Sequence, residues 1–305
     1  MSVQVEHVSK IYGSQKAVDD ISFSAEKGQI IGLLGPNGAG KSTTMKMITG
    51  YLLANEGTIS VCGLDVVQNP KEAKRKIGYL PEHNPLYLDM FVHEYLQFAG
   101  GLYGIGSRIL KSRIEDLIEK TGLTAERKKK IGQLSKGYRQ RVGLAQTLIH
   151  DPEVLILDEP TTGLDPNQIV EIRKLIQEVG KSKTVILSTH IMQEVSAICH
   201  RAVIINRGKI VADKPIQDLG EGIETRVLLK LRFKENYDLQ WIKLLEGVLQ
   251  VRSVGDKEFQ ISIELDKEDH LRSQLFIECA SRSQIILDMV KEEQNIEGIF
   301  QQLTK

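Results

Sequence analysis

The hydrophobic positions of this chain change period along its length. "SVQVEHVSKIYG" and "AVDDISFSAEKGQ" alternate apolar and polar residues, which predicts short strands joined by a turn at Gly13. "QIIGLLG", "VLILDEP" and "TVILSTH" are unbroken apolar runs closed by polar or turn residues, the pattern of strands buried on both faces. "KSTTMKMITG" reads as a helix closed by Gly50, and "EGTISVCGLDV" returns to strand character. From about Asn84 to Gln133 the period becomes helical, in "VHEYLQFAGGLYG" and "ILKSRIEDLIEKTGL". "NQIVEIRKLIQEVG" adds a helix between two of the buried strands. Alternation of strand and helix predicts a parallel sheet covered on both faces, here with an antiparallel β subdomain in front and a helical insertion at about 84–150.

Pro and Gly punctuate residues 213–224, "DKPIQDLGEGIE", and set an expected boundary between domains 1–220 and 221–305. Beyond it the pattern reads strand "TRVLLKLRF", helix "LQWIKLLEGV", strands "LQVRSV" and "EFQISIEL", helix "DHLRSQLFIECASR", strand "QIILDMV", and a last helix "NIEGIFQQLTK". That order is the one of a small α+β, ferredoxin-like domain.

A chain of 305 residues suits two such domains. Its 40 basic and 40 acidic side chains cancel, so no global field draws it to nucleic acid, and no nucleic-acid partner is expected. Cys62, Cys199 and Cys279 are widely spaced and odd in number, which suits thiols in a reducing compartment better than a disulfide framework or a zinc site. The N-terminus lacks the apolar segment of a secretory signal. No apolar run approaches the roughly 18–20 residues that span a bilayer. The expectation is a cytoplasmic protein that reaches a membrane only through a partner.

"GPNGAGKST" fits G-x-x-x-x-G-K-[ST] and stands between a buried strand and a helix, the context the motif needs. In it Gly35, Pro36, Asn37, Gly38, Ala39 and Gly40 form a loop whose backbone amides face phosphate oxygens at a helix N-terminus. Lys41 reaches the β- and γ-phosphates, Ser42 places its hydroxyl on Mg²⁺, and Thr43 completes the set expected to bind ATP. A glycine turn with a capping serine is the bland alternative, and the strand–loop–helix context disfavours it. Asp158 and Glu159 end the run "VLILDEP" at a strand tip, where ligands bind in open α/β sheets. One carboxylate there can hold Mg²⁺ while the other orients or deprotonates a water. His190 ends "TVILSTH" at the same edge, a placement that raises it above an ordinary surface histidine.

The ordered set of P-loop, "LSKGYRQR", "LILDEP", "GLDP" and "LSTH" resembles an ATP-binding cassette ATPase, the nucleotide-binding subunit of ABC transporters. The likeness covers roughly residues 3–215. It implies a P-loop ATPase core of ABC type, ATP and Mg²⁺ as ligands, and a head-to-tail homodimer or paired cassette. In such a pair Ser135, Lys136, Gly137 and Asp165 serve the nucleotide of the opposite protomer. It further implies that Tyr12 stacks on adenine and that His190 contacts the γ-phosphate. Two departures stand out. The pattern Leu-Ser-Gly-Gly-Gln reads "LSKGY" here, with Lys136 and Tyr138 altered; Lys136 either adds positive charge near the phosphates or points to solvent, and the second is favoured. Glu82 stands where the family has a glutamine near Mg²⁺, and a carboxylate can take that role.

"YLPEHNPLY", "LSKGY" and "NIEGIFQQLTK" together resemble the drug-resistance and polysaccharide-exporter branch, and within it the gliding-motility-associated subunit. The branch implies integral membrane permease subunits docked near Glu82 to Tyr103, with the chain peripheral on the inner face of the membrane. The competing reading is a soluble cassette ATPase acting on DNA or ribosomes. It is disfavoured by the single P-loop, the absence of sustained heptads and the neutral charge. The C-terminal domain has no catalytic constellation and reads as a dimerisation or regulatory module.

Overall fold

In the computed structural model of this chain, which describes residues 1–219, 226–264 and 267–292, the period-two stretch folds as a hairpin. Strands β1 (Val3–Tyr12) and β2 (Gln15–Ala25) pair antiparallel around Gly13 and are ten and eleven residues long, not short. Strand β3 (Ile30–Leu34) leads through the glycine-rich loop into helix α1 (Lys41–Ile48), which stops where Gly50 turns left-handed. Strands β4 (Glu56–Val61) and β5 (Leu64–Asp65) return to the hairpin and complete a sheet of order β2-β1-β4-β5.

Helix α2 (Pro70–Lys76) and strand β6 (Ile77–Leu80) precede the helical insertion, which consists of α3 (Val92–Leu102), α4 (Ser107–Lys120) and α5 (Lys136–Leu148). Strand β7 (Val154–Asp158), helix α6 (Pro166–Gly180), strand β8 (Thr184–Thr189), helix α7 (Met192–Ile198) and strands β9 (Arg201–Asn206) and β10 (Lys209–Pro215) finish the first unit. Its six-stranded sheet runs β10-β9-β3-β8-β7-β6, parallel throughout except for the antiparallel β9–β10 pair. All residues of β3, β7 and β8 are buried, as their unbroken apolar runs require. One hydrophobic core joins the two sheets: Val5, Phe23 and Ile59 from the antiparallel sheet meet Met45 and Ile48 of α1 and Ile31, Ile156 and Ile186 of the parallel one.

The chain divides into two compact units, Met1–Ile216 and a second that begins at Gln217. The expected boundary at 220/221 and the expected last helix at 295–305 lie outside the described residues. The second unit holds strands β11 (Arg226–Phe233), β12 (Val248–Gly255) and β13 (Glu258–Glu264), helix α8 (Glu268–Ser281) and strand β14 (Ile286–Glu292). Its antiparallel sheet has the order β12-β13-β11-β14, the ferredoxin-like arrangement. One expected element is corrected: "LQWIKLLEGV" is a 3₁₀ turn over Gln240–Leu244 and not a full helix. Among its core-facing residues, which include Trp241, Leu239, Ile242 and Leu245 recur every third position, the period of a 3₁₀ helix. Left-handed Gly247 then redirects the chain into β12.

Candidate active site

The strand order explains why distant residues meet. β3, β8, β7 and β6 are successive neighbours running the same way, so the residues after their C-terminal ends share one edge. The loop after β3 is shaped by two glycines. A side chain on Gly35 would put its Cβ 2.3 Å from the Ile205 carbonyl oxygen, and Gly40 has φ of +112°, closed to other residues. Buried Ala39 anchors the loop by accepting a hydrogen bond from the Gly208 amide at 2.9 Å. The first amides of α1 then face the cavity with no intrahelical acceptor, as at any helix N-terminus.

Lys41, only 6% exposed, donates from Nζ to the carbonyls of Gly35 at 2.8 Å and Pro36 at 3.2 Å. Burial pushes its ammonium below the ordinary lysine value, opposed by the negative charges of Glu159, Asp158 and Glu82. Glu159 Oε1 lies 3.9 Å from Lys41 Nζ. Glu159 Oε2 accepts from Thr162 Oγ1 at 3.1 Å and lies 3.0 Å from His190 Nδ1. The Glu159 backbone is left-handed, φ +48°, a conformation a non-glycine residue keeps only where its surroundings impose it.

Asp158 is buried and bridges two hydroxyls: its Oδ1 accepts from Ser42 Oγ at 3.0 Å and from Ser188 Oγ at 2.5 Å. Ser188 Oγ in turn accepts from the Glu159 amide at 2.9 Å, so one hydroxyl fixes both neighbouring acidic residues. A cavity of about 420 Å³ is lined by Asn37, Gly38, Gly40, Lys41, Ser42, Thr43, Glu82, Glu159 and His190, all expected from the sequence, together with Ala17 and Thr162, which were not. Ser188 also escaped the sequence reading, although it stands inside the quoted "LSTH". Among the described residues no cluster of three or more His, Cys, Asp or Glu offers a metal cage. Hard oxygen donors from Ser42 and Asp158, with Glu82 on the same cavity, nevertheless fit Mg²⁺, which commonly takes one or two carboxylates and completes its shell with phosphate and water.

The remaining expected residues stand apart. Tyr12 ends β1, half-exposed and outside the cavity lining, with Lys10 Nζ 5.4 Å from its ring centre. Ser135 caps α5, its Oγ accepting from the Tyr138 amide at 3.4 Å. Asp165 caps α6 by accepting from the Gln168 amide at 2.9 Å, and the Gln168 side chain covers Gly137, so the two helix starts touch within one chain. Lys136 is exposed, and its ammonium lies over Gly163, 2.1 Å from where a Cβ would stand, because that glycine leaves room for it. Cys199 and Cys279 are buried, and all three cysteines are free thiols.

The chain is similar to known proteins in both sequence and fold. The family described as ABC transporter matches residues 18–162. The linearmycin resistance ATP-binding protein LnrL of Bacillus subtilis (strain 168) is 35% identical over 307 residues, covering 99% of this chain and 98% of that protein. The chain belongs to the ABC transporter ATP-binding family. Among solved structures, an ATP-binding subunit of an ABC transporter matches with a TM-score of 0.68 at 30% identity, over 73% of this chain and 93% of its own. CbiO1 of Clostridium perfringens, part of the ABC transporter complex cbiONQ, matches with a TM-score of 0.67 at 26% identity, over 73% and 91%. This chain is therefore an ATP hydrolase built on the α/β P-loop fold of ABC type.

Proposed function

We propose that this ABC ATPase is the energy-supplying subunit of an exporter, peripheral on the cytoplasmic face of a membrane, where paired cassettes drive separate membrane-spanning subunits. The observation that carries the hydrolytic part is Glu159, held between Lys41 and His190 at the mouth of the P-loop cavity. Lys41 exchanges its bonds to the Gly35 and Pro36 carbonyls for the β- and γ-phosphate oxygens of ATP. Glu159 takes a proton from a water whose oxygen attacks the γ-phosphorus, and the bond from that phosphorus to the bridging oxygen breaks to release ADP. His190 holds Glu159 through Nδ1 and reaches the γ-phosphate. Mg²⁺ on Ser42, Asp158 and Glu82 would neutralise charge on the phosphates.

Two features support the membrane partner. Exposed Tyr87, Leu88, Phe91, Phe98 and Leu102 concentrate on and before α3, close in sequence to Glu82. The names of LnrL and cbiO1 join their own chains to resistance and to a transporter complex. Export rests on the branch resemblance, which is also the support for a gliding-motility role. The test is to tag the chain in its native cell and extract membranes in mild detergent with ATP and Mg²⁺. An integral membrane protein is expected in near-equal amount. Ribosomal or chromosomal proteins in its place would mean a soluble ATP-driven clamp.

A further inference from the structure

Glu194 on α7 lies outside the nucleotide cavity and is only 3% exposed. A buried carboxylate is costly unless both oxygens are hydrogen-bonded or paired. Every side-chain partner of Glu194 comes from a segment that leaves the active edge. Oε1 accepts from Thr161 Oγ1 and faces Arg173 Nη2 of α6 at 3.9 Å. Oε2 accepts from Thr189 Oγ1 at 2.6 Å. Thr161 follows Glu159 by two residues, and Thr189 immediately precedes His190. Thr189 Oγ1 also accepts from the Ile191 amide at 3.1 Å, so it grips the backbone on the far side of His190. One carboxylate thus ties together the two loops that supply the two sides of the Glu159–His190 contact. Packing alone does not call for it: α7 is already seated by buried Met192, Val195 and Ile198.

We propose that Glu194 is a positioning residue for ATP hydrolysis. It sets the separation of Glu159 and His190 by bonding both of their loops, and it touches neither nucleotide nor water. Without that clamp the left-handed backbone at Glu159 relaxes, and its carboxylate loses the placement that in-line attack requires. The inference rests on the reading of Glu159 as the water-activating group.

Thr161→Val and Thr189→Val each remove one arm of the clamp while keeping side-chain shape. In the full chain each is expected to lower kcat about 10- to 100-fold, the scale of a misplaced reacting group, while MgATP affinity by calorimetry stays within about twofold. Thr161→Ser and Thr189→Ser restore the hydroxyl and are expected to restore kcat. In a His190→Ala background Thr189→Val should cost nothing further, because the group it positions has gone. Glu194→Ala should show the same split between kcat and affinity. Since it strips part-buried Arg173 of its counter-charge and can unfold the chain, the threonine pair carries the test. Unchanged kcat in both valine variants overturns the clamp, as does an equal loss of kcat and affinity, or a full additional loss on top of His190→Ala. Glu159→Gln, assayed alongside, reports on the underlying reading separately: wild-type turnover there removes the water-activating role without bearing on whether the valine variants slow the enzyme.

Discussion

The two candidate halves of the nucleotide site are built differently. Lys41, Asp158 and Glu159 are buried, and each already has a partner in the same chain: carbonyls for the ammonium, hydroxyls and an imidazole for the carboxylates. The start of α5 is exposed at Ser135 and Lys136, and no carboxylate caps it. Its cap bond, Tyr138 amide to Ser135 Oγ at 3.4 Å, is long, whereas the neighbouring α6 is capped by Asp165 at 2.9 Å. A helix start that keeps its first amides uncommitted is an anion site waiting for an anion. The cis half is complete within one chain. The other half has the form expected of a surface that binds phosphate on a second copy, as proposed here.

Glu159→Gln breaks the cis half and carries the largest expected effect. Removing a general base and its charge should lower turnover by at least about 10²–10⁴-fold while the P-loop still binds ATP. Steady-state phosphate release alongside calorimetric binding of MgATP checks both parts, and near wild-type hydrolysis would give the role of Glu159 to another group. Ser135→Arg breaks the other half. In the Glu159→Gln background, where bound ATP persists, light scattering should show an ATP-dependent dimer that Ser135→Arg abolishes. ATP affinity of the monomer should change by no more than about twofold, the range for a surface substitution. A dimer unaffected by Ser135→Arg would assign pairing to the C-terminal unit and leave α5 a capped helix only.

The same contrast governs what could be read from the sequence. β3, β7 and β8 announce themselves because burial on both faces demands unbroken apolar residues, and their tips deliver the P-loop, Asp158, Glu159 and His190 to one edge. The residues that hold those groups were silent. Ser188, Thr161 and Thr189 are small hydroxyls whose importance comes from partners some 30 residues away, or five along in the case of Thr189, and a single sequence does not display such pairings. Glu194 reads as an ordinary polar position of a short helix, yet the fold turns it inward. β9 and β10, whose strand pairing builds the sheet edge, went unread, because "RAVIINRGKIVADKP" mixes strand residues with turn residues around left-handed Arg207 and Gly208. In the second unit, apolar spacing that fits an α-helix gave way to a 3₁₀ turn over Gln240–Leu244.

Lys136 sits on the line between the halves, and its substitution should have the smallest effect. It belongs to the α5 start by sequence, but its ammonium rests over Gly163 in the loop that follows Glu159. Gly163 has φ of +73° and carries no side chain to bar the approach. An exposed lysine laid on a loop of its own chain contributes little, since water competes for its charge. Lys136→Gly, which restores the family residue, should therefore shift steady-state ATP hydrolysis by only about twofold, in line with surface substitutions elsewhere. That shift should be the same whether or not the cassettes pair, because the contact lies within one chain. If the ammonium instead met phosphate on the partner, the loss would exceed tenfold, shrink steeply with added salt as exposed charge pairs are screened, and vanish in the Ser135→Arg background that no longer pairs. Hydrolysis measured against salt concentration in those two backgrounds separates a contact inside the cis half from one across the seam.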